Sequence, residues 1–176
     1  EAYNIFACNG ILFNHESPLR GETFVTKKII SALCKISLSG TGNLYLGNLY
    51  SKRDWGHAKD YVLAMWKMLQ RKTPRDYVIA SGRQYSVKYF VNLICDILKI
   101  KIYWKGKGIN EKAYWNGKVI ISIDKKYFRP TEVDSLLGDS SKARKELRWK
   151  PLYNIRSLAQ DMVAEEFKKI HVNKKK

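Results

Sequence analysis

The sequence lacks paired cysteines, long apolar runs and any signal-like start. Its three cysteines, Cys8, Cys34 and Cys95, form no Cys-x-x-Cys pair and have no clustered histidines, which argues against a zinc site or a disulfide framework. No stretch reaches the roughly 20 apolar residues that a membrane helix needs, and the N-terminus shows no charged-then-apolar signal pattern. Free, reduced thiols and the absence of a membrane segment predict a cytoplasmic protein.

Acidic residues are scarce, since 16 Asp and Glu accompany 33 Lys and Arg and the formal net charge is +17. A field of this sign attracts anions, either a polyphosphate-bearing ligand or nucleic acid. Charge alone favours a plainer interpretation, a lysine-rich surface that keeps the protein soluble, because scattered basic residues usually form a solvated face. With 45% hydrophobic and 12% aromatic residues, the chain has the composition of a folded protein.

Apolar periodicity predicts strands that alternate with helices, the pattern of an α/β protein. The first predicted strand, at 4–14, is uniformly apolar, as in a strand buried on both faces. The chain starts at Glu1 without Met and enters this run at once, which is typical of a fragment or a truncated copy. The predicted order is a strand at 4–14, a loop at 14–22, a helix at 24–38, a turn at 40–43, a strand at 44–46, a loop at 48–54, a helix at 57–70, a strand at 77–80, a helix capped by Ser86, strands at 102–104 and 119–123, a short helix capped by Ser140 or Ser141, and a helix at 155–170.

One loop concentrates side chains suited to binding. Residues 13–22 (FNHESPLRGE) place an amide, an imidazole, two acids and an arginine at the carboxyl end of the first predicted strand. Ligands of open α/β sheets bind at that edge, and loops of this density usually bind something. Two further segments, 52–61 (KRDWGHAKDY) and 128–134 (FRPTEVD), carry more arginines and acids.

These three segments, together with Gly47-Asn48, resemble the GDP-mannose 4,6-dehydratases of the extended short-chain dehydrogenase group. The likeness runs from Tyr3 to about Phe167. It implies an enzyme that converts GDP-mannose to GDP-4-keto-6-deoxymannose and water with NADP as cofactor. The implied fold is the C-terminal part of an NAD(P)-binding Rossmann-type fold plus a small α/β substrate-binding lobe. Residues 1–170 would form this part, and residues 171–176 a disordered basic tail.

The resemblance also assigns binding roles. His15 and Arg20 correspond to positions that contact NADP, although a lone loop histidine more often bonds to backbone. Asn14 would touch the diphosphate or hexose of the substrate. Glu16 and Glu22 could pair with Arg20, and neither is assigned a catalytic role.

The other implied residues belong to the nucleotide. Arg53 and Arg129 would hold the diphosphate, because guanidinium groups pair bidentately with phosphate oxygens. Without the resemblance, a surface ion pair between Arg53 and Asp54 is slightly favoured over a phosphate contact. Glu132 would accept hydrogen bonds from the ribose hydroxyls. The implied substrate-binding set is Asn14, Val25, Lys28, Arg53, Arg129 and Glu132, with Val25 and Lys28 beside the guanine.

The catalytic machinery of the family is not found in these 176 residues. In the family a Tyr and a Lys four residues later share a helix face, so that the ammonium lowers the phenol pKa. Here the two such spacings, Tyr103 with Lys107 and Tyr114 with Lys118, each enclose a glycine and fall in a strand-loop-strand region. The glycine pairs 40/42 and 106/108 lack the third glycine of a dinucleotide fingerprint. The chain alone is therefore predicted to be inactive.

The expected partners are GDP-mannose, the missing N-terminal half of the enzyme and further copies in a homo-oligomer. An unpaired strand at 4–13 would invite aggregation or partnering, so stability is expected only with the other half or in an assembly. Three alternatives stay open: an epimerase or dehydratase of another nucleotide sugar, a basic nucleic-acid-binding module in which Trp104, Tyr114 and Trp115 interleave with lysines, and an inert remnant. Of these, nucleic-acid binding rests on charge and aromatic interleaving alone, and neither a membrane nor a metal ion is implied.

Overall fold

The computed structural model describes Tyr3, residues 5–128 and residues 133–173. Strands and helices alternate over most of this length, which confirms the predicted α/β class. The helices are α1 (Val25–Ser39), α2 (Ala58–Leu69), α3 (Val87–Ile97), α4 (Ser141–Leu147) and α5 (Ile155–Asn173). The strands are β1 (Gly10–Leu12), β2 (Asn14–Glu16), β3 (Leu44–Leu46), β4 (Lys52–His57), β5 (Tyr77–Ile79), β6 (Gln84–Ser86), β7 (Tyr103–Lys105), β8 (Lys112–Trp115) and β9 (Lys118–Ile123).

The strands of the described residues form three small sheets. β1 pairs with β5 in parallel, and β2 pairs in parallel with β4, which is joined on its other edge by antiparallel β6. A four-stranded sheet runs in the order β3-β9-β8-β7. Each parallel pair is connected through at least one helix, as parallel neighbours require a crossover.

Two hydrophobic clusters hold these sheets to the helices. The larger joins α1, α3 and α5 to the four-stranded sheet, with Ile29, Leu33 and Ile94 fully buried. The smaller packs α2 against β5 and α4 around Tyr61 and Trp149. Both α1 and α2 thus face their cores along one stripe, as predicted from their sequence periodicity. Among the described residues, no helix combines the length and the apolar character needed to traverse a bilayer.

The prediction of a doubly buried strand at 4–14 is wrong. Of residues 5–14, Gly10–Leu12 and Asn14 are strand, and Ile5 and Ile11 are 69% and 55% exposed. Within the described residues β1 pairs with β5 alone, and apolar residues become buried only where another element lies over them. The apolar sequence of this segment therefore favours burial, but no other described element buries Ile5 and Ile11.

Two predicted loops contain strands. The loop at 14–22 begins with β2, and the loop at 48–54 runs into β4. Both strands carry mostly polar side chains, and β4 buries Asp54 and His57 as well as Trp55, so their sequences lack the alternation of apolar and polar residues that marks a half-buried strand. β6 and β8 were also missed, the latter inside a segment predicted as a glycine-rich and lysine-rich loop.

The predicted serine cap is confirmed for α3 and only in part for α4. The Ser86 side chain accepts a hydrogen bond from the Tyr89 N–H at 3.1 Å and caps α3 as predicted. At α4 Ser140 occupies the predicted N-cap position, but its hydroxyl donates to the Ala80 carbonyl and makes no capping hydrogen bond, and Asp139 accepts from the Ser141 N–H. α5 extends to Asn173, and residues 174–176 lie outside the described residues, so the basic tail stays a prediction.

Replacing Ser86 with alanine is expected to lower the free energy of unfolding by about 1 kcal/mol, because one amide of the first turn of α3 loses its acceptor. Urea denaturation followed by circular dichroism measures the difference. Ser37→Ala is the matched control, since that hydroxyl only donates to the Cys34 carbonyl within α1 and its loss should change stability by less than about 0.5 kcal/mol. Equal effects of the two substitutions would contradict a capping role for Ser86.

Candidate functional site

A cleft of about 830 Å³ opens between β2, β4 and the start of α1. Four of the six predicted substrate-binding residues line it: Asn14, Val25, Lys28 and Arg53. The other two, Arg129 and Glu132, lie outside the described residues. Side chains that are separated by up to 39 positions in the sequence therefore share one concave surface.

The parallel pairing of β2 with β4 brings the polar groups together. The register places Asn14 opposite Trp55, and Arg53 and Trp55 both line the cleft, as residues two apart on a strand share a face. Asp54 points the other way. It is completely buried, and its carboxylate accepts hydrogen bonds from the N–H groups of Ser81, Gly82 and Gly138.

This arrangement separates the roles of the two neighbours Arg53 and Asp54. Three backbone donors engage Asp54, so its role is to fix β4 against the turns at 81–82 and 138. Arg53 donates to the Lys52 carbonyl at 2.9 Å and keeps its position on the cleft wall. Arg53 therefore lies where a ligand in the cleft could reach it, and its contact with phosphate stays a prediction.

Lys28 and Tyr127 meet across the cleft. The Lys28 ammonium lies 3.4 Å from the centroid of the Tyr127 ring, a cation–π contact between α1 and the turn at 125–127. Lys126 and Tyr127 also line the cleft, and the sequence reasoning missed both. The available signal was Asp124, which accepts a hydrogen bond from the Lys126 N–H and starts that turn just before the predicted arginine motif.

Glu16 forms the floor of the cleft and is a structural group. It is 2% exposed, accepts a hydrogen bond from the Thr26 hydroxyl at 2.7 Å and pairs with Arg20 Nε at 3.1 Å. Burial raises the pKa of Glu16 above its usual range, although the Thr26 hydrogen bond and the charges of Arg20 and His15 act against the shift. The predicted pairing of Glu16 with Arg20 is confirmed.

A second, smaller cleft of about 360 Å³ contains both predicted cofactor contacts, His15 and Arg20. The His15 ring lies 5.0 Å from the Tyr61 ring, and its Nδ1 lies 2.9 Å from the Phe13 carbonyl oxygen. Since a carbonyl only accepts, Nδ1 carries the proton, as in the backbone-bonded histidine that was the alternative. The Arg20 guanidinium stacks 3.4 Å from the centre of the Phe24 ring. Asn14 lines both clefts and is their meeting point.

Three further residues of the 52–61 segment, His57, Trp55 and Asp60, make contacts that fit the structural roles predicted for them. His57 is fully buried, caps α2 by accepting from the Lys59 N–H, and lies 3.0 Å from an Asp161 oxygen. Trp55 is 2% exposed and contacts the Phe90 ring in the core. Asp60 accepts from the backbone N–H of Tyr153. Cys8, Cys34 and Cys95 are free thiols, and burial raises the pKa of Cys34 and Cys95 to about 12.

Comparison with known sequences agrees with the resemblance that the three sequence segments show. Residues 1–162 match the sequence model of a family described as GDP-mannose 4,6 dehydratase. The chain is 53% identical over 175 residues to the GDP-mannose 4,6 dehydratase of Drosophila melanogaster, covering 98% of this chain and 44% of that protein. It is 52% identical over 167 residues to GDP-mannose 4,6 dehydratase 2 of Caenorhabditis elegans, covering 94% and 44%. The chain thus spans about half the length of these relatives.

Solved structures show the same fold at low sequence identity. The structure of RMD from Pseudomonas aeruginosa complexed with NADPH matches with a TM-score of 0.76 and 16% identity, over 94% of this chain and 49% of that chain. A dTDP-glucose 4,6-dehydratase from Bacillus anthracis in complex with NAD matches with a TM-score of 0.70 and 17% identity, over 93% and 45%. The α/β fold of the chain is therefore that of about half of an extended short-chain dehydrogenase structure.

Proposed function

Because the chain belongs to the GDP-mannose 4,6-dehydratase family, as its match over residues 1–162 shows, we propose that it supplies the substrate-binding part of an enzyme that converts GDP-mannose to GDP-4-keto-6-deoxymannose and water. The observation that carries this proposal is the single cleft that Asn14, Val25, Lys28 and Arg53 line. Because the chain spans less than half of its relatives, the activity belongs to the longer protein.

The cleft has the chemistry that a nucleoside diphosphate sugar needs. Arg53 offers a guanidinium fork to the diphosphate, and the Asn14 amide can donate to a phosphate or sugar oxygen. Val25 and Lys28 at the start of α1 would flank the guanine, with the Tyr127 ring beside Lys28. Arg129 and Glu132 would add the second phosphate contact and the ribose contact. The positive field of the chain as a whole attracts such an anion.

The smaller cleft fits part of a nicotinamide dinucleotide. His15 and Arg20 would hold NADP there, and the two clefts meet at Asn14, so that a cofactor and a sugar bound in them would be neighbours. When bound, NADP supplies the hydride acceptor. The His15 ring is already oriented by the Phe13 carbonyl and by Tyr61, and Arg20 by Glu16 and Phe24, so neither side chain needs to be ordered on binding.

Replacing Arg53 with alanine is expected to weaken GDP binding to the chain by at least about tenfold, since a charge-assisted hydrogen bond is worth about 1.5–3 kcal/mol. Isothermal titration with GDP measures the affinity. Arg53→Lys should recover only part of it, because lysine keeps the charge and loses the bidentate fork. Arg156→Ala, which removes an exposed arginine paired with Asp96, should bind GDP like the unaltered chain.

The same titration separates the alternatives. Equal affinity for GDP and UDP would indicate a relative that acts on another nucleotide sugar. A random oligonucleotide that binds more tightly than GDP at physiological salt would favour the nucleic-acid-binding module. Unchanged GDP affinity in Arg53→Ala, or no binding of GDP to the unaltered chain, would contradict the proposed site.

A further inference from the structure

Helix α2 carries an apolar stripe that no described residue buries. Val62, Met65, Trp66 and Leu69 are 62%, 39%, 58% and 59% exposed. Their spacing of three, one and three residues places them on one face of the helix. Four large apolar side chains in one row form a contiguous patch of the kind that marks an interaction site.

The exposed stripe lies beside a second apolar stripe that is buried. Tyr61, Ala64 and Met68 pack into the smaller hydrophobic cluster against β5 and α4. Since successive residues turn by about 100°, the two stripes are adjacent, and α2 is apolar around roughly half of its circumference. A helix at a protein surface needs only the buried stripe. The wider apolar arc of α2 is typical of a helix with packed neighbours on two sides.

A second uncovered apolar feature lies on the same lobe. Cys8 and Leu12 pack against the cluster that α2 helps to form, so β1 and the residues before it run next to α2. Among the described strands only β5 pairs with β1, and Ile5 and Phe6 are 69% and 39% exposed. The α2 stripe and the β1 edge therefore offer a helix-packing surface and a strand-pairing surface close together.

We infer that the α2 stripe, Val62, Met65, Trp66 and Leu69, is the docking surface for the polypeptide that makes up the remainder of the dehydratase. The relatives are about twice as long as the matched region, so in them a segment of similar size accompanies the region that corresponds to this chain. A second copy of the chain fits less well, because each copy has a net charge of +17 and the two would repel each other. The identity of the partner rests on the proposed function, whereas the location of the surface rests on exposure and spacing.

The test uses the half of the Drosophila melanogaster relative that lies outside its match to this chain, co-expressed with the 176-residue chain. Association is measured by co-elution and by titration of the purified partners. Trp66→Lys is expected to weaken association at least about tenfold, because a central tryptophan commonly dominates an interface. Leu38→Lys is the matched control, a 46% exposed leucine near the end of α1, and its affinity should stay within about twofold of the unaltered chain.

The outcomes are separable from those of the proposed function. Circular dichroism confirms that both variants fold, and GDP titration is expected to give the same affinity for the unaltered chain and for Trp66→Lys. Association of Trp66→Lys equal to that of the unaltered chain, or no association of the unaltered chain with the other half, would overturn the inference. Self-association of the unaltered chain that Trp66→Lys abolishes, without binding of the other half, would also overturn it in favour of a second copy. If the unaltered chain failed to bind GDP but still associated with the other half, the proposed function would be contradicted and the docking surface would not.

Discussion

The 176-residue chain is expected to form no 4-keto sugar when it is incubated with GDP-mannose and NADP. The dehydration needs a tyrosine and a lysine on one helix face, where the ammonium lowers the phenol pKa. Neither candidate pair lies on a helix: Tyr103 lies on β7 with Lys107 beyond its end, and Tyr114 and Lys118 lie on the adjacent strands β8 and β9. The helical geometry that the chemistry requires is absent from both pairs.

A nuclear magnetic resonance assay of the sugar product measures this result. The full-length Drosophila melanogaster relative, treated identically, serves as the positive control for substrate, cofactor and detection. Turnover by the chain alone above the background of a no-protein sample would contradict the prediction. In that event the activities of Tyr103→Phe and Tyr114→Phe would show whether either tyrosine is responsible for the turnover.

Sequence periodicity was sufficient for the elements whose burial is completed within this chain. α1, α2 and α3 each bury a stripe against their neighbours; the predicted bounds of α1 and α2 differ from the observed ones by one residue at each end, and α3 begins directly after its predicted cap. β8 was missed because the same segment holds glycines and lysines on a hairpin with one exposed face, and local composition there favours a loop. The prediction of a buried strand at 4–14 failed for the opposite reason: its local apolar signal was strong, but among the described residues β1 pairs with β5 alone and Ile5 and Ile11 are exposed.

The site residues also fall into two groups, those that the family resemblance brought together and those that the sequence did not indicate. Grouping Asn14 with Arg53 depended on the family resemblance, because nothing local in either segment shows that β2 and β4 pair in parallel. Tyr127 and Lys126 were missed because they reach the cleft through a turn whose position depends on β9 pairing with β3. Both facts are long-range consequences of the fold. A single sequence without a related family carries little signal for them.

Removing the carboxylate of Glu166 is expected to destabilise the fold by about 3–5 kcal/mol, because it leaves the charge of Lys27 buried without its partner. The two groups are 2.6 Å apart, and Lys27 and Glu166 are 2% and 5% exposed as residues. Their pairing joins α1 to α5 at the base of the loop after β2, since Lys27 also lies 3.5 Å from the Pro18 carbonyl. Urea denaturation of Glu166→Ala measures the loss. The control is Glu165→Ala, which breaks an exposed pair with Lys168 and should cost less than about 1 kcal/mol.

We expect Glu166→Ala to be destabilising because of the charges of the Lys27–Glu166 pair and not because of lost packing. Two measurements separate these causes. The double substitution Lys27→Met with Glu166→Leu removes both charges and keeps similar volumes, so it should restore most of the stability lost in Glu166→Ala. Burial acts to raise the pKa of Glu166, but hydrogen bonds from Lys27 and Ser31 and the Lys27 charge hold it below its ordinary value of 4.5. The stability from this depressed pKa is complete above pH 4.5 and is lost as the pH falls through the lowered value, so the difference between the unaltered chain and Glu166→Ala should shrink there. A difference that stays constant down to the acid transition, or a double variant no more stable than Glu166→Ala, would assign the effect to packing instead of charge.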